Sequence, residues 1–149
     1  MYSTILVPLD GSKRAEAILC HVEELALRYH AKVVFLRVLD PVPLRATPAG
    51  IYPGLEQPEL ERRREEAASY LAAQEGEFRE KGIDARARVV HGPVVEAIIN
   101  AAERESADLI AIASHGRTDL SRVFYGSVAA GVLHRVDRPL LLVRSRGSE

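Results

Sequence analysis

Five short apolar runs punctuate the chain: STILVPL at residues 3 to 9, KVVFLRVL at 32 to 39, ARARVV at 85 to 90, DLIAIA at 108 to 113 and PLLLV at 139 to 143. The stretches between most of them repeat apolar residues every three to four positions, the spacing of amphipathic helices. Residues 13 to 30 place Ala15, Ile18, Leu19, Val22, Leu25, Ala26 and Tyr29 on one face. Residues 59 to 81 predict a second, charge-laced helix with Leu60, Ala67, Leu71 and Phe78 as its buried stripe, stopping at Gly82. A third helix spans residues 93 to 105 with Pro93 in its first turn, and a fourth spans 127 to 136, burying Val128, Val132, Leu133 and Val136. Strands alternating with helices in this way predict βαβ units and a parallel sheet.

Central parallel strands are buried on both faces and read as continuous apolar runs, whereas ARARVV alternates, with Arg86 and Arg88 facing one side. The third strand is therefore assigned to an edge. An α/β fold with a five-stranded parallel sheet in the order 3-2-1-4-5, helices on both faces, satisfies this and keeps every crossover right-handed. PLLLV becomes the opposite edge, where an uncovered apolar strand invites pairing with another chain. A homodimer joined through residues 139 to 144 is expected. Between the second strand and the second helix lies DPVPLRATPAGIYPGLEQP, residues 40 to 58, with five of the eight prolines. It reads as one long irregular connection, of the kind that serves as a functional lid. No internal repeat and no low-complexity tract interrupts the pattern.

Composition narrows the picture. With 149 residues, 47% of them hydrophobic, the chain reads as a single domain, residues 1 to 149, able to bury roughly two thirds of its unfolded surface. A formal net charge of -1 supplies no field for a nucleic-acid backbone, so no nucleic-acid partner is expected. The one cysteine, Cys20, makes no internal disulfide and no zinc motif. The amino-terminal MYSTILVPLDGS has neither a basic n-region nor an apolar run of signal length, and nothing approaches the ~20 apolar residues of a membrane span. A cytoplasmic protein without membrane contact is expected.

In open α/β sheets, ligands bind beyond the carboxyl ends of the strands, where strand order reverses. Here that is the crevice between the first and fourth strands. VPLDGS brings Asp10, Gly11 and Ser12 to its mouth, and ASHGRTDLSRVFYGSV, residues 113 to 128, follows the fourth strand. Glycines that admit close backbone approach, together with a helix beginning at Ser127, suit a phosphate, and Arg117 and Arg122 offer charge. No GxxxxGK[ST] loop exists to hold a nucleotide in the P-loop manner. The same residues have plainer readings: Asp10 in an Asx-turn or as a helix cap, Ser127 as an N-cap, Gly116 and Gly126 in tight turns, and His115 as a hydrogen-bonded loop residue.

Taken together, ILVPLDGS, LRVLD, VVHGP, the closing RPLLLV, and ASHG followed after nine residues by Gly126-Ser127 resemble the universal stress protein family over the whole chain. The family pattern is G-x-x-G, nine residues, then G-[ST], and Ala113 stands where its first glycine would be. The resemblance implies a Rossmann-like domain of the adenine nucleotide alpha-hydrolase type, a dimer formed through the last strand, and ATP binding in members with the glycine motif. It implies that Pro8, Leu9 and Asp10 border the nucleoside, that the Val38 backbone meets adenine, and that Ile112 and Ala113 lie beneath it. His115, Gly116, Gly126, Ser127 and Val128 would surround the phosphates, with Arg117 added here for its charge. A Mg²⁺ ion accompanying ATP would have Asp10 as its candidate ligand.

The expected function is that of an ATP-binding homodimeric regulator in the stress response. The alternative is a dimeric interaction module of the same family that binds no nucleotide. An enzyme is not expected, since no serine or cysteine is convincingly paired with a histidine and an orienting carboxylate. Slow ATP hydrolysis lacks a nameable positioned nucleophile. A phospho-receiver domain would want an aspartate after the third strand and a lysine after the fifth, where this chain has VVHGP and VRSRG.

Overall fold

A computed structural model describes residues 1–39, 44–47, 50–53, 57–114 and 126–145. In chain order the elements are β1 (Thr4–Pro8), a 3₁₀ turn (Ala15–Ile18) running into α1 (Leu19–Tyr29), β2 (Lys32–Leu39), β3 (Leu44–Thr47) and β4 (Gly50–Pro53). There follow α2 (Gln57–Glu80), β5 (Ala85–His91), α3 (Val94–Arg104), β6 (Leu109–Ser114), α4 (Gly126–Arg135) and β7 (Leu140–Arg144). The main sheet has five parallel strands in the order β5-β2-β1-β6-β7. Counted among themselves, these strands stand 3-2-1-4-5, as expected.

The interior strands β1 and β2 are mostly apolar because both of their faces are covered. Ile5, Leu6 and Val7 of β1 and Val33, Val34, Phe35 and Leu36 of β2 are wholly buried. Successive side chains alternate between two cores. Ile5, Val7, Val33 and Phe35 meet α1 and α2 through Val22, Leu71 and Phe78, while Leu6, Val34 and Leu36 meet α3 and α4 through Ile98 and Val132. Edge strand β5 alternates as its sequence does, and its Arg88 guanidinium pairs with Glu105 at 3.1 Å.

Four differences separate the structure from the sequence reading. Residues 40 to 58 contain an antiparallel hairpin, with Leu44 opposite Pro53 and Thr47 opposite Gly50. The expected single irregular connection is corrected accordingly. The first helix opens as a 3₁₀ turn, its Ala15 amide donating to the Ser12 hydroxyl at 3.1 Å, a common start for an α-helix. Leu133, assigned to the core, is 46% exposed. Val128, Val132 and Val136 already line the sheet-facing stripe at four-residue intervals, and Leu133 sits about 100° further round the helix. Pro93 caps α3 from just outside its first turn.

Two polar clamps set how the strands end. The Asp108 carboxylate accepts from the Ser3 and Thr4 amides at 2.8 and 3.1 Å, locking the start of β1 beside β6. The Arg138 guanidinium donates from Nη1 to the Ala102 and Ala107 carbonyls at 3.0 and 2.8 Å, tying the entry of β7 to the α3–β6 turn. On the same side, α3 and α4 approach closely at Gly131: a Cβ there would lie 2.6 Å from Val95 Cγ2. A helix-interior glycine costs about 1 kcal/mol against alanine, whereas overpacking costs about 1–3 kcal/mol. Gly131→Ala is therefore expected to lower stability by about 1 kcal/mol, despite its better helix propensity. Urea unfolding should show the Val95→Ala, Gly131→Ala double variant more stable than the two single effects add up to.

Candidate functional site

Strand order reverses between β1 and β6, and a cavity of about 200 Å³ opens there above the carboxyl ends of the strands. Pro8, Leu9 and Asp10 form one wall, Leu36, Arg37 and Val38 of β2 a second, and Ile112, Ala113 and Ser114 of β6 a third. Ala15 lies on one side, and Val94 and Ile98 of α3 with Val128 and Ala129 of α4 close the other. Most of the lining is apolar, with a few polar groups at the mouth, the usual make-up of a small-molecule pocket.

Asp10 takes the turn role that its sequence allowed and faces the cavity as well. Its Oδ1 accepts the Ser12 amide at 2.9 Å, an Asx-turn, and Gly11 follows at φ +88°. That left-handed conformation suits glycine. The turn leaves the Asp10 carboxylate exposed at the rim. Opposite it, Ala113 lies in regular β6 backbone, in register with Val143, and is not one of the residues with positive φ. No glycine-only conformation is required where the family pattern has its first glycine.

Ser114, the last residue of β6, is 2% exposed, and its carbonyl accepts the Ser145 amide at 3.1 Å. Its Oγ has no hydrogen-bond partner among the described residues. Helix α4 starts at Gly126, which puts Ser127 in its first turn, exposed, rather than at the N-cap. The first-turn amides of a helix lack intrahelical acceptors and favour anions.

Of the residues singled out from sequence, Pro8, Leu9, Asp10, Val38, Ile112, Ala113 and Val128 come together around this cavity. Gly126 and Ser127 stand at the start of the adjoining helix. His115, Gly116, Arg117 and Arg122 lie outside the described residues. Sequence reasoning missed Leu36, Ile98 and Val94, which look like ordinary core positions in their elements. It also missed Arg37, for which a signal existed: a lone charge inside the apolar run KVVFLRVL. The Arg37 Nη1 donates to the Val38 carbonyl at 2.7 Å.

A second cavity of about 260 Å³ adjoins the first, sharing Asp10 and Arg37 and reaching Arg63 and Tyr70 of α2. The Tyr70 hydroxyl donates to Glu16 Oε2 at 2.5 Å. Burial, reinforced by that carboxylate, pushes the phenol above its ordinary pKa. Among the described residues no three or more His, Cys, Asp or Glu side chains gather to hold a metal, and no helix is long and apolar enough to cross a membrane.

A doubly wound parallel sheet with a pocket at its reversal point defines a Rossmann-like α/β protein, the class whose ligands sit at that point. The universal stress protein family model matches residues 1–144, and the chain belongs to that family. It is 30% identical to universal stress protein MJ0577 of Methanocaldococcus jannaschii, over 99% of this chain and 98% of the relative. The solved structure of MJ0577 superposes with a TM-score of 0.79 over 99% of both chains. Two more distant structures share the fold. One is a universal stress protein in complex with cAMP, 22% identical, with a TM-score of 0.71 over 97% of this chain and 98% of that one. The other is the universal stress protein of Archaeoglobus fulgidus in complex with dAMP, 19% identical, with a TM-score of 0.65 over 95% and 98%.

Proposed function

We propose that the cavity at the ends of β1, β2 and β6 binds an adenine nucleotide, ATP foremost, and that this protein works as a nucleotide-dependent regulator in the stress response. The carrying observation is that seven residues which the family pattern assigns to the nucleotide's surroundings, Pro8, Leu9, Asp10, Val38, Ile112, Ala113 and Val128, line one cavity. Relatives in complex with cAMP and dAMP support the adenine chemistry. A volume of about 200 Å³ suits the nucleoside. The phosphates then extend toward the first turn of α4, where unpaired amides favour negative charge. Asp10 is the one carboxylate among the described lining residues. One carboxylate together with phosphate oxygens is a usual way of holding Mg²⁺, so the residues present fit a Mg-nucleotide.

The working form in this proposal is a homodimer built on β7. Leu140, Leu141, Leu142 and Val143 of that edge strand are only half-buried, and a second copy pairing there would cover them. We take the protein as a binder rather than a catalyst, acting in the cytoplasm on protein partners whose affinity follows nucleotide occupancy. The interaction module that binds no nucleotide is favoured by Ala113 and by the weak specificity of each glycine taken alone; the extended backbone at Ala113, which suits alanine, supports the nucleotide reading.

Scanning calorimetry tests the proposal. ATP at a hundredfold excess over its dissociation constant stabilises the native state by about 2.7 kcal/mol, which for a chain of this size raises the melting temperature by roughly 5 to 11 °C. No shift at millimolar ATP overturns the proposal.

A further inference from the structure

We propose that Ser114 positions the ligand's phosphate, its hydroxyl donating a hydrogen bond that makes the site prefer nucleotides to nucleosides. The inference rests on the nucleotide reading of the cavity and assigns a role to a position that the family pattern leaves open. Alternation along β6 puts Ser114 on the same face as Ile110 and Ile112. That is the face covered by α3 and α4, at the carboxyl end of the strand, where Val128 and Ala129 of α4 share the cavity wall with it. A group seated at that end of the cavity lies beside both the Ser114 side chain and the first turn of α4.

A buried hydroxyl without a partner is a standing cost to the folded chain, and alanine at the same place would avoid it. Ser114 is 2% exposed, its Oγ is buried and unpartnered among the described residues, and the residue lines the cavity. Among the described residues, this end of the cavity offers the serine hydroxyl, which can donate as well as accept, and the first-turn amides of α4, which have no intrahelical acceptors. A helix start favours an anion, and a hydrogen bond to an ionised oxygen is about twice as strong as one between neutral groups. A serine needs only one χ1 rotation between staggered wells to present its hydroxyl to an incoming oxygen. The phosphate nearest the ribose is the group that reaches this depth, so AMP and adenosine differ in the one feature that Ser114 reads.

The test compares wild type with Ser114→Ala in calorimetric titrations of AMP and of adenosine, with the melting temperature of the ligand-free proteins as control. Affinity of the variant for AMP is expected to fall about tenfold, adenosine affinity to stay within about twofold, and the ligand-free melting temperature to equal or exceed wild type. Ser114→Thr, which keeps the hydroxyl, should retain a preference for AMP over adenosine. Equal losses for AMP and adenosine, no loss for either, or a lower melting temperature of the ligand-free alanine variant overturns the role of Ser114 and leaves the nucleotide site standing. A wild type that binds neither compound overturns the site itself and this inference with it.

Discussion

Replacing Ala113 by leucine is expected to weaken adenine-nucleotide binding by at least about a hundredfold, a loss of about 2.7 kcal/mol, while leaving the fold intact. The methyl group of Ala113 is half-buried and belongs to the wall of a cavity of only about 200 Å³. The three extra carbons of leucine take the space that the nucleoside would fill. Leu9 and Ala15, which belong to the same apolar cluster as Ala113 and line the cavity, give it apolar surroundings, so the new side chain buries favourably in the ligand-free protein. The ligand-free melting temperature should therefore hold or rise. Ala113→Gly, which restores the family pattern, should change affinity by less than about threefold: β6 is extended at this position, and extended backbone makes no special demand for glycine. Titration of the three proteins side by side checks the pair of expectations. A leucine variant that binds as wild type does would show that the nucleotide lies elsewhere.

Phe35→Ala is expected to give the largest loss of stability, about 3–5 kcal/mol. Phe35 is wholly buried near the middle of β2 and packs edge-to-face on Phe78 of α2, with centroids 5.0 Å apart and planes at 86°. Its removal opens a void between the sheet and the helix where neither can collapse freely. Native domains are stable by about 5–15 kcal/mol, so the variant loses a fifth or more of that stability. The melting temperature should drop by roughly 6 to 20 °C. The aromatic geometry adds about 0.5–1.5 kcal/mol beyond burial, to be read from a cycle with Phe78→Leu. Guanidinium unfolding that returns less than 1 kcal/mol for Phe35→Ala would mean that this face of the sheet is not packed as described.

The parts of the structure that were legible in the sequence are those where one physical rule dominates. Val33 to Leu36 form an unbroken apolar run because a central parallel strand is covered on both sides, and Arg86 and Arg88 alternate with apolar residues because β5 is an edge. Strand order followed from those two facts, and the place of the pocket followed from strand order. The β3–β4 hairpin gave no such signal. Pro48-Ala49 joins its strands in place of the Asn-Gly or Asp-Gly pair that marks a tight turn, and two four-residue strands among prolines show little periodicity. Distances across the fold leave no trace in a linear pattern: the approach of Gly131 to Val95 and the lack, among the described residues, of a partner for the Ser114 hydroxyl belong to packing alone. Leu133 shows the opposite limit, an apolar residue on a helix that an apolar stripe passes by.

Calorimetric titration of the 149-residue chain, stripped of any carried nucleotide, with ATP and AMP puts the cavity's assignment to its most direct trial. Saturable heat for one site per chain, with ATP and AMP displacing one another and the response lost in Ala113→Leu, is the expected result. Wild-type protein that gives no saturable heat with either nucleotide at millimolar concentration, while melting as a folded domain, would contradict it.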